Sequence, residues 1–432
     1  MSGINDGYVV DVPYPTFVHR QAMPVWLSTL AQLKGNKSPN IARPYRYLEL
    51  GCAMGIHLNL TAAANPMGHF VGVDFNAQQL LVAEEGVQTT NINNIEFIHA
   101  SFEEFEKIDL EPFDFIVTHG VWSWVSEENQ KILFKIIDKF LKPSGLVYCS
   151  YMSYPGAAEL SSIQKMMFEM SKNLKGSSAE KAVQSLSFVR KLGLHDAGIF
   201  AQIPSLNQTL ANLAQDKPNY IAHDFLSEHW QPQHSADMIR AFGKLNLSFI
   251  TGANIAEHLD IVSLKPEIRK LIQSLPLVTL QETARDIALN SLQRQDIYIK
   301  NREKLSAKEF EIVLSQTKFG LLPNAPVHKN LIHDPKIGRV QDILQICEAI
   351  LKLLEKQDLS VTEIAQRLKL KINFLQMRDI LLILMWAGYI HPINLETEAL
   401  FAQPMNGWMQ KQQLLWRCLA KYGTAVESKI ED

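Results

Sequence analysis

The stretch YRYLELGCAMGIHLNL, Tyr45 to Leu60, decides the fold. A short apolar run ends in an acid, two glycines follow four positions apart, and a helical pattern then begins. Outward from it, strand-like segments recur at 69–74, 95–100, 113–119 and 145–151. Helical patterns fall between them at 56–65, 76–86 and 127–141. Asn65-Pro66 stops the first, and Lys142-Pro143 followed by Gly145 stops the last, because proline cannot continue a helix. Strands alternating with helices at this spacing imply right-handed crossovers and a mostly parallel α/β sheet. Ligands of such sheets lie beyond the carboxyl ends of the strands. That edge collects Gly51 to Gly55, Asp74, Ala100 and Ser101, and His119 and Gly120.

The acid-x-Gly-x-x-x-Gly turn lets the backbone bend sharply and approach a ligand. Amides of Gly51, Cys52 and Ala53 would then face an anionic group at the start of the next helix. Asp74 ends the second strand, at the spacing usual for an acid that holds ribose hydroxyls. A pyrophosphate dinucleotide would want further glycines where Ala53 and Ile56 stand. S-adenosylmethionine carries a carboxylate instead and tolerates this pattern; its product would be S-adenosylhomocysteine. Simpler alternatives are a tight strand–helix turn, and Asp74 as the cap of the helix beginning near Asn76. Phe75 packs either on the adenine face or in the core.

The whole chain has 432 residues, 47% of them hydrophobic and 20% charged, which fits an ordinary folded protein of two or three domains. A formal net charge of −3 supplies no field for steering to nucleic acid or an anionic membrane. Cys52, Cys149, Cys347 and Cys418 are far apart in sequence, which argues against a zinc site or disulfide framework and for a reducing cytoplasm. No export signal is visible, and the longest apolar run, Ile380 to Ile390, is too short to span a membrane. No metal is expected.

Residues 157–214 read as helical. NYIAHDFL (219–226) and NLSFITGAN (246–254) read as strands flanking a helix, and 255–320 as helical and charge-rich. KFGLLPNAPVHKNLIHDPKIGR (318–339) reads as a loop or linker, followed by three amphipathic helices over 340–390 and a helical tail. The resulting domains are 1–155 for cofactor binding, 156–325 as helical insertion and regulatory region, of which 219–251 completes the sheet, and 335–432 as a winged-helix-like C-terminal domain. Residues 339–391 carry seven Lys or Arg against six Asp or Glu, and the second helix of that pattern is largely apolar. Nucleic-acid reading wants the reverse, so protein contact or homodimerisation is the expectation there.

LELGCAMG resembles motif I of class I S-adenosylmethionine-dependent methyltransferases, and GVDFNAQQL their second motif. DVPYPTFVHRQAMPVWLSTLAQLKG, FDFIVTHGVWSWV and SYMSYPG are similar to bacterial methyltransferases that carry a methyltransferase regulatory domain. IPSLNQTLANLAQDKPNYIAHDFLSEHWQPQHSADM and RDIALNSLQRQDIYIKNREKLSAKEFE resemble that regulatory region itself. Rickettsial protein-lysine methyltransferases are the members with the best-defined chemistry. The resemblance spans about residues 8 to 320 and implies a Rossmann-like fold, with Tyr14 in a segment that folds over the cofactor. Two departures stand out. Ala157 and Ala158 follow Pro-Gly where relatives place an aromatic, and Ser101 replaces an acid that would bond the adenine amino group.

His119 ends the fourth strand, beside the sulfonium in this fold, as a base or a contact residue. Trp122, Trp124, Tyr151 and Tyr154 come to neighbouring strand ends, where aromatic faces attract an amine or methylated ammonium; ordinary packing is the alternative for each. Tyr151 and Tyr154 also qualify as proton acceptors. Methyl transfer needs chiefly alignment and exclusion of water, with no metal. Three functions follow: methylation of lysine side chains in a protein, O- or N-methylation of a small molecule, and cofactor sensing without turnover.

Overall fold

The computed structural model describes residues 7–326, 344–369, 374–394 and 400–428. Helix α1 (Pro24–Leu33) precedes an alternation of β1 (Tyr45–Leu50), α2 (Ile56–Ala64), β2 (Gly68–Asp74), α3 (Ala77–Thr90), β3 (Ile95–His99), α4 (Phe102–Lys107), β4 (Phe113–Thr118), α5 (Glu127–Phe140) and β5 (Leu141–Met152). These five strands are parallel. Helix α4 has no apolar periodicity to announce it. A reciprocal cap specifies it: the Ser101 hydroxyl accepts from the Glu104 backbone N–H while Glu104 reaches back to the Ser101 N–H.

Helices α6 (Ala158–Ser171), α7 (Ser178–Leu194), α8 (Gly198–Gln202), α9 (Ser205–Leu213) and α10 (Pro218–Phe225) form a cap with a core of its own, including Leu160, Met167, Leu186, Leu206 and Phe225. The expected strand at NYIAHDFL is therefore helix α10. Pro218 opens its first turn, where a missing N–H costs nothing, and Ile221, Ala222 and Phe225 point into the cap core. Val9 and Val12 of the N-terminal strap join the same core.

After α11 (Ser235–Gly243), β6 (Leu247–Gly252) returns to the sheet. Beyond α12 (Asp260–Ser263), α13 (Pro266–Gln273) and α14 (Val278–Leu289), the stretch QRQDIYIK, expected to be helical, is strand β7 (Gln293–Lys300). It pairs antiparallel with both β5 and β6, completing the seven-stranded order β3-β2-β1-β4-β5-β7-β6. The charges of β7 hid its strand character: Arg294 and Asp296 are buried in an ion network, not spread on a solvated helix face. The Arg294 guanidinium donates to Asp286 at 2.6 Å, to Glu282 at 2.8 Å and to Asp296 at 3.0 Å.

Helix α15 (Ala307–Gln316) leads to β8 (Lys318–Leu321), a strand where a linker was expected. It is the middle strand of a small antiparallel sheet with β9 (Leu359–Ser360) and β10 (Ile390–Pro392), beside α16 (Leu344–Leu354), α17 (Val361–Leu368) and α18 (Phe374–Trp386). The rest of the expected linker, 327–339, lies outside the described residues. The expected helical tail contains α19 (Ala402–Lys411) and then a hairpin of β11 (Trp416–Leu419) and β12 (Thr424–Glu427). Its core is continuous with that of the large sheet: Trp408 is buried with Leu58, Leu60 and Phe70, and Asn394 donates to the Asn65 side chain at 3.1 Å.

Candidate active site

The sheet order reverses between β1 and β4, whose ends pair Leu50 with Thr118. A crevice opens where neighbouring connections leave in opposite directions, and it brings Gly51–Gly55 beside His119 and Gly120. The loop after β1 is left-handed at Gly51 (φ 77°), Ala53 (φ 49°) and Gly55 (φ 64°). A Cβ on Gly51 would meet Val121 at 2.5 Å, and one on Gly55 would meet Ala83 at 2.4 Å, so both glycines are required by space as well as by φ.

The sequence reading had the three loop amides free for an anion, but they are engaged within the protein. Gly51 and Cys52 both donate to the Val73 carbonyl, at 2.8 and 3.1 Å, and Ala53 donates to Asp74 at 2.8 Å. The second Asp74 oxygen accepts the Asn76 N–H at 2.8 Å, and Asn76, not Asp74, caps α3. Burial raises the Asp74 carboxyl above the usual aspartate range, and these backbone donors oppose that rise. Asp74 therefore pins the loop to the second strand, with lone pairs remaining for hydroxyl donors. Cys52 is buried against Leu80 and Ala83, and burial holds its thiol protonated.

Glu49, two residues before the loop, escaped notice as a site residue. Its Oε2 is buried with no hydrogen-bond partner among the described residues, and burial followed by the charge of Asp74 lifts its carboxyl to about 8. The acid in the acid-x-Gly pattern was the available signal. A glycine cradle, a carboxylate at the second strand end and an unpaired buried acid beneath them match the amino-acid and ribose groups of S-adenosylmethionine.

Phe75 is partly exposed at the end of β2, with Tyr8 edge-on at 6.4 Å between ring centroids. Ala100 is buried, its N–H on the Asp74 carbonyl at 3.1 Å. Ser101 sits at the same edge, in place of the acid that would bond the adenine amino group, and its hydroxyl is engaged by the α4 cap.

His119 lies in a cluster of three histidines. Its ring stacks on His19 at 3.4 Å between centroids and its Nδ1 bonds the Tyr148 hydroxyl at 2.8 Å. The His19 backbone N–H donates to His57 Nδ1 at 3.3 Å. Burial lowers His19 to about 4, His57 to about 3, and His119 well below the ordinary histidine value, so all three are neutral at pH 7. Distance in sequence hid His19 and His57. A neutral imidazole next to the crevice can bond a substrate proton without adding charge.

Two of the four expected substrate aromatics are core residues. Trp122 is fully buried, its ring 4.8 Å from Phe134. Tyr151 is fully buried and donates to Asp296 at 2.5 Å, within the ion network of β7. Alternation along β5 turns Tyr151 into the sheet's cover, which removes it as a substrate contact or proton acceptor. Trp124 packs with Tyr8, Met152, Ala157 and Trp230, and Ala157 fills the place where an aromatic was expected. Tyr154 is partly exposed, stacked on His234 at 4.7 Å. Tyr14 packs edge-on to His223 at 5.1 Å and to Tyr220, which ties the N-terminal strap to α10.

No helix among the described residues is long and apolar enough to cross a membrane, and no metal-binding cluster occurs among them. An open cavity of about 750 Å³ lies elsewhere, between Pro323 and the C-terminal hairpin at Arg417–Tyr422.

Residues 41–189 match a family model described as a methyltransferase domain, and residues 217–300 one described as a predicted methyltransferase regulatory domain. An uncharacterized protein of Synechocystis is 29% identical over 91% of this chain and 78% of its own length. An uncharacterized protein of Rickettsia prowazekii is 28% identical over 73% of this chain and 57% of its own length. PKMT2 from Rickettsia typhi, solved alone and in complex with AdoHcy, shares the fold at a TM-score of 0.70 and 22% identity; the match to the structure solved alone covers 96% of this chain and 86% of that one. The motif I loop, the seven-stranded sheet and the paired domains together place this chain among the S-adenosylmethionine-dependent methyltransferases that carry a methyltransferase regulatory domain.

Proposed function

We propose that the protein methylates lysine side chains of another protein, in the cytoplasm. The observation that supports this reading is the whole-chain likeness to PKMT2, which runs through the cap and C-terminal segment as well as the methyltransferase domain. S-adenosylmethionine, when bound, supplies an electrophilic methyl group on a sulfonium. Gly51 and Gly55 give its amino-acid end room, Glu49 faces its ammonium, and Asp74 takes the ribose hydroxyls while still holding Ala53 and Asn76. Phe75 and Tyr8 flank the base, with Ala100 and Ser101 at its rim. Gly120 leaves open space beside His119, since a Cβ there meets nothing within 4 Å.

An amine attacks only when neutral, so the protein has to strip its proton and its water. Burial at the end of β4 favours that state, because a low-dielectric site disfavours an ammonium and the neutral histidines carry no negative charge to hold one. The test is transfer of labelled methyl into lysate, split into protein and metabolite fractions, with acid hydrolysis of labelled protein to find methyllysine. Label confined to metabolites would refute the lysine reading and favour small-molecule methylation. Saturable S-adenosylhomocysteine binding without any transfer would favour cofactor sensing.

A further inference from the structure

We propose that Asp224, on α10 beside Tyr8, Tyr14, Tyr220 and Trp124, is the binding site for the aliphatic ammonium of the methyl acceptor. Asp224 belongs to α10, in the regulatory segment, and nothing in its sequence surroundings advertises a site. Its charge, its surroundings and its position point to it.

The first is charge. Other well-buried acids of the middle segment have a cationic partner: Glu282 and Asp286 take Arg294, and Asp296 does too. Among the described residues no cation acts on Asp224. Burial, opposed by a hydrogen bond from Tyr220 and reinforced by the like charge of Asp216, raises it to about 7. A carboxylate in that setting gains from any cation that enters.

The second is the wall. The Tyr14 ring lies 6.4 Å from Tyr220 and 5.1 Å from His223, and the Tyr8 ring lies 5.2 Å from His223. The Trp124 indole N–H donates to the Asp224 carbonyl at 3.4 Å. Tyr220, four residues earlier on α10, bonds the Asp224 carboxyl, and an aromatic cluster beside one carboxylate suits an organic ammonium, whereas a metal ion would want several hard ligands. No cluster of three or more potential metal ligands occurs among the described residues. Trp230 adds a buried indole N–H with no partner among those residues, a donor suited to a peptide carbonyl.

The third is position. Tyr8 meets Phe75 at the crevice and also packs against His223 and Trp124, which flank Asp224. Tyr8 thus stands between the cofactor crevice and Asp224. Asp224 is itself only partly covered, so a side chain can reach it. A lysine threaded past these rings would bring its nitrogen toward the end of β4 with its charge answered on the way. The inference rests on the lysine reading for the acceptor's identity, but its geometry is independent of that reading.

The test uses the full chain saturated with S-adenosylhomocysteine and titrated by calorimetry with Nα-acetyl-lysine methylamide. Saturable binding is expected, at tens of millimolar or tighter, with no comparable binding of the capped norleucine analogue. Asp224→Asn should weaken it roughly tenfold or more while S-adenosylhomocysteine affinity stays within about twofold. Tyr14→Leu removes one ring face without touching Asp224 and should cost roughly threefold to tenfold. Wild-type protein that binds no capped lysine, or the two variants binding it as wild type does, would overturn the proposal. Lysine methylation that survives Asp224→Asn unchanged sinks this site and leaves the function standing. Methylation of a non-lysine acceptor, with capped lysine still bound through Asp224, sinks the function and leaves the site.

Discussion

Asp74→Asn keeps shape and volume while removing the charge and one acceptor, which makes it the sharpest probe of the crevice. Each carboxylate oxygen of Asp74 accepts a backbone N–H at 2.8 Å, one from Ala53 and one from Asn76, and the residue is 7% exposed. An asparagine accepts only one of the two; its NH2 must face the other donor. A buried donor left without an acceptor costs about 1–3 kcal/mol, so we expect the apo protein to lose about 2 kcal/mol. The same carboxylate is proposed to hold the ribose, so S-adenosylhomocysteine affinity should fall by roughly tenfold or more, about 1.4 kcal/mol. Urea unfolding at pH 7 reads the first effect and calorimetry the second. Asn76→Ala is the control, because the Asn76 side chain caps α3 through Gln78 and Gln79 and makes no other bond in the loop. It should cost about 1 kcal/mol of stability and leave affinity unchanged. Wild-type stability and affinity in Asp74→Asn would refute the reasoning entirely; lost stability with retained affinity would refute the ribose assignment alone.

Gly55→Ala places a Cβ at 2.4 Å from Ala83 and demands a left-handed alanine, so it should destabilise by about 2–4 kcal/mol, read by urea unfolding. Arg294→Met takes the cation from Asp286 and Asp296 and leaves Glu282 only Arg285 and His258, and should cost about 3–5 kcal/mol, as a shift of the urea midpoint shows. His57 is held near 3 in the fold against an ordinary value of 6.5, so the unfolded chain takes up its proton first as the pH falls. Its contribution to stability is complete above pH 6.5 and is lost between about 6.5 and 3, at up to about 1.4 kcal/mol per pH unit. Urea unfolding of wild type and His57→Gln at pH 7 and pH 5 checks this: stability should fall less steeply in the variant. Equal slopes would show that His57 titrates normally.

The sequence by itself determined the five parallel strands and the loop after the first. Glycines at 51 and 55, the acid at 74 and the apolar runs between them are local signals, and local geometry follows from them through sterics and periodicity. Ser101 and Glu104 likewise write a helix cap into four residues, though it passed unread beside the stronger strand pattern. Tertiary structure alone decided what these residues face. Strand β7 looked helical because Arg294 and Asp296 read as solvated charge, and only their partners on α14 reveal them as buried. The expected free amides of Gly51, Cys52 and Ala53 are taken by Val73 and Asp74, an arrangement that depends on the neighbouring strand. Trp122 and Tyr151 occupy the right strand ends with their rings turned inward, a choice made by Phe134 and Asp296. His19, His57 and His119, and Tyr8 with Asp224, meet only because a strap, a sheet and a cap pack together. Spacing along a chain encodes backbone conformation, whereas the environment of a charge or a ring is fixed by segments as far as hundreds of residues away.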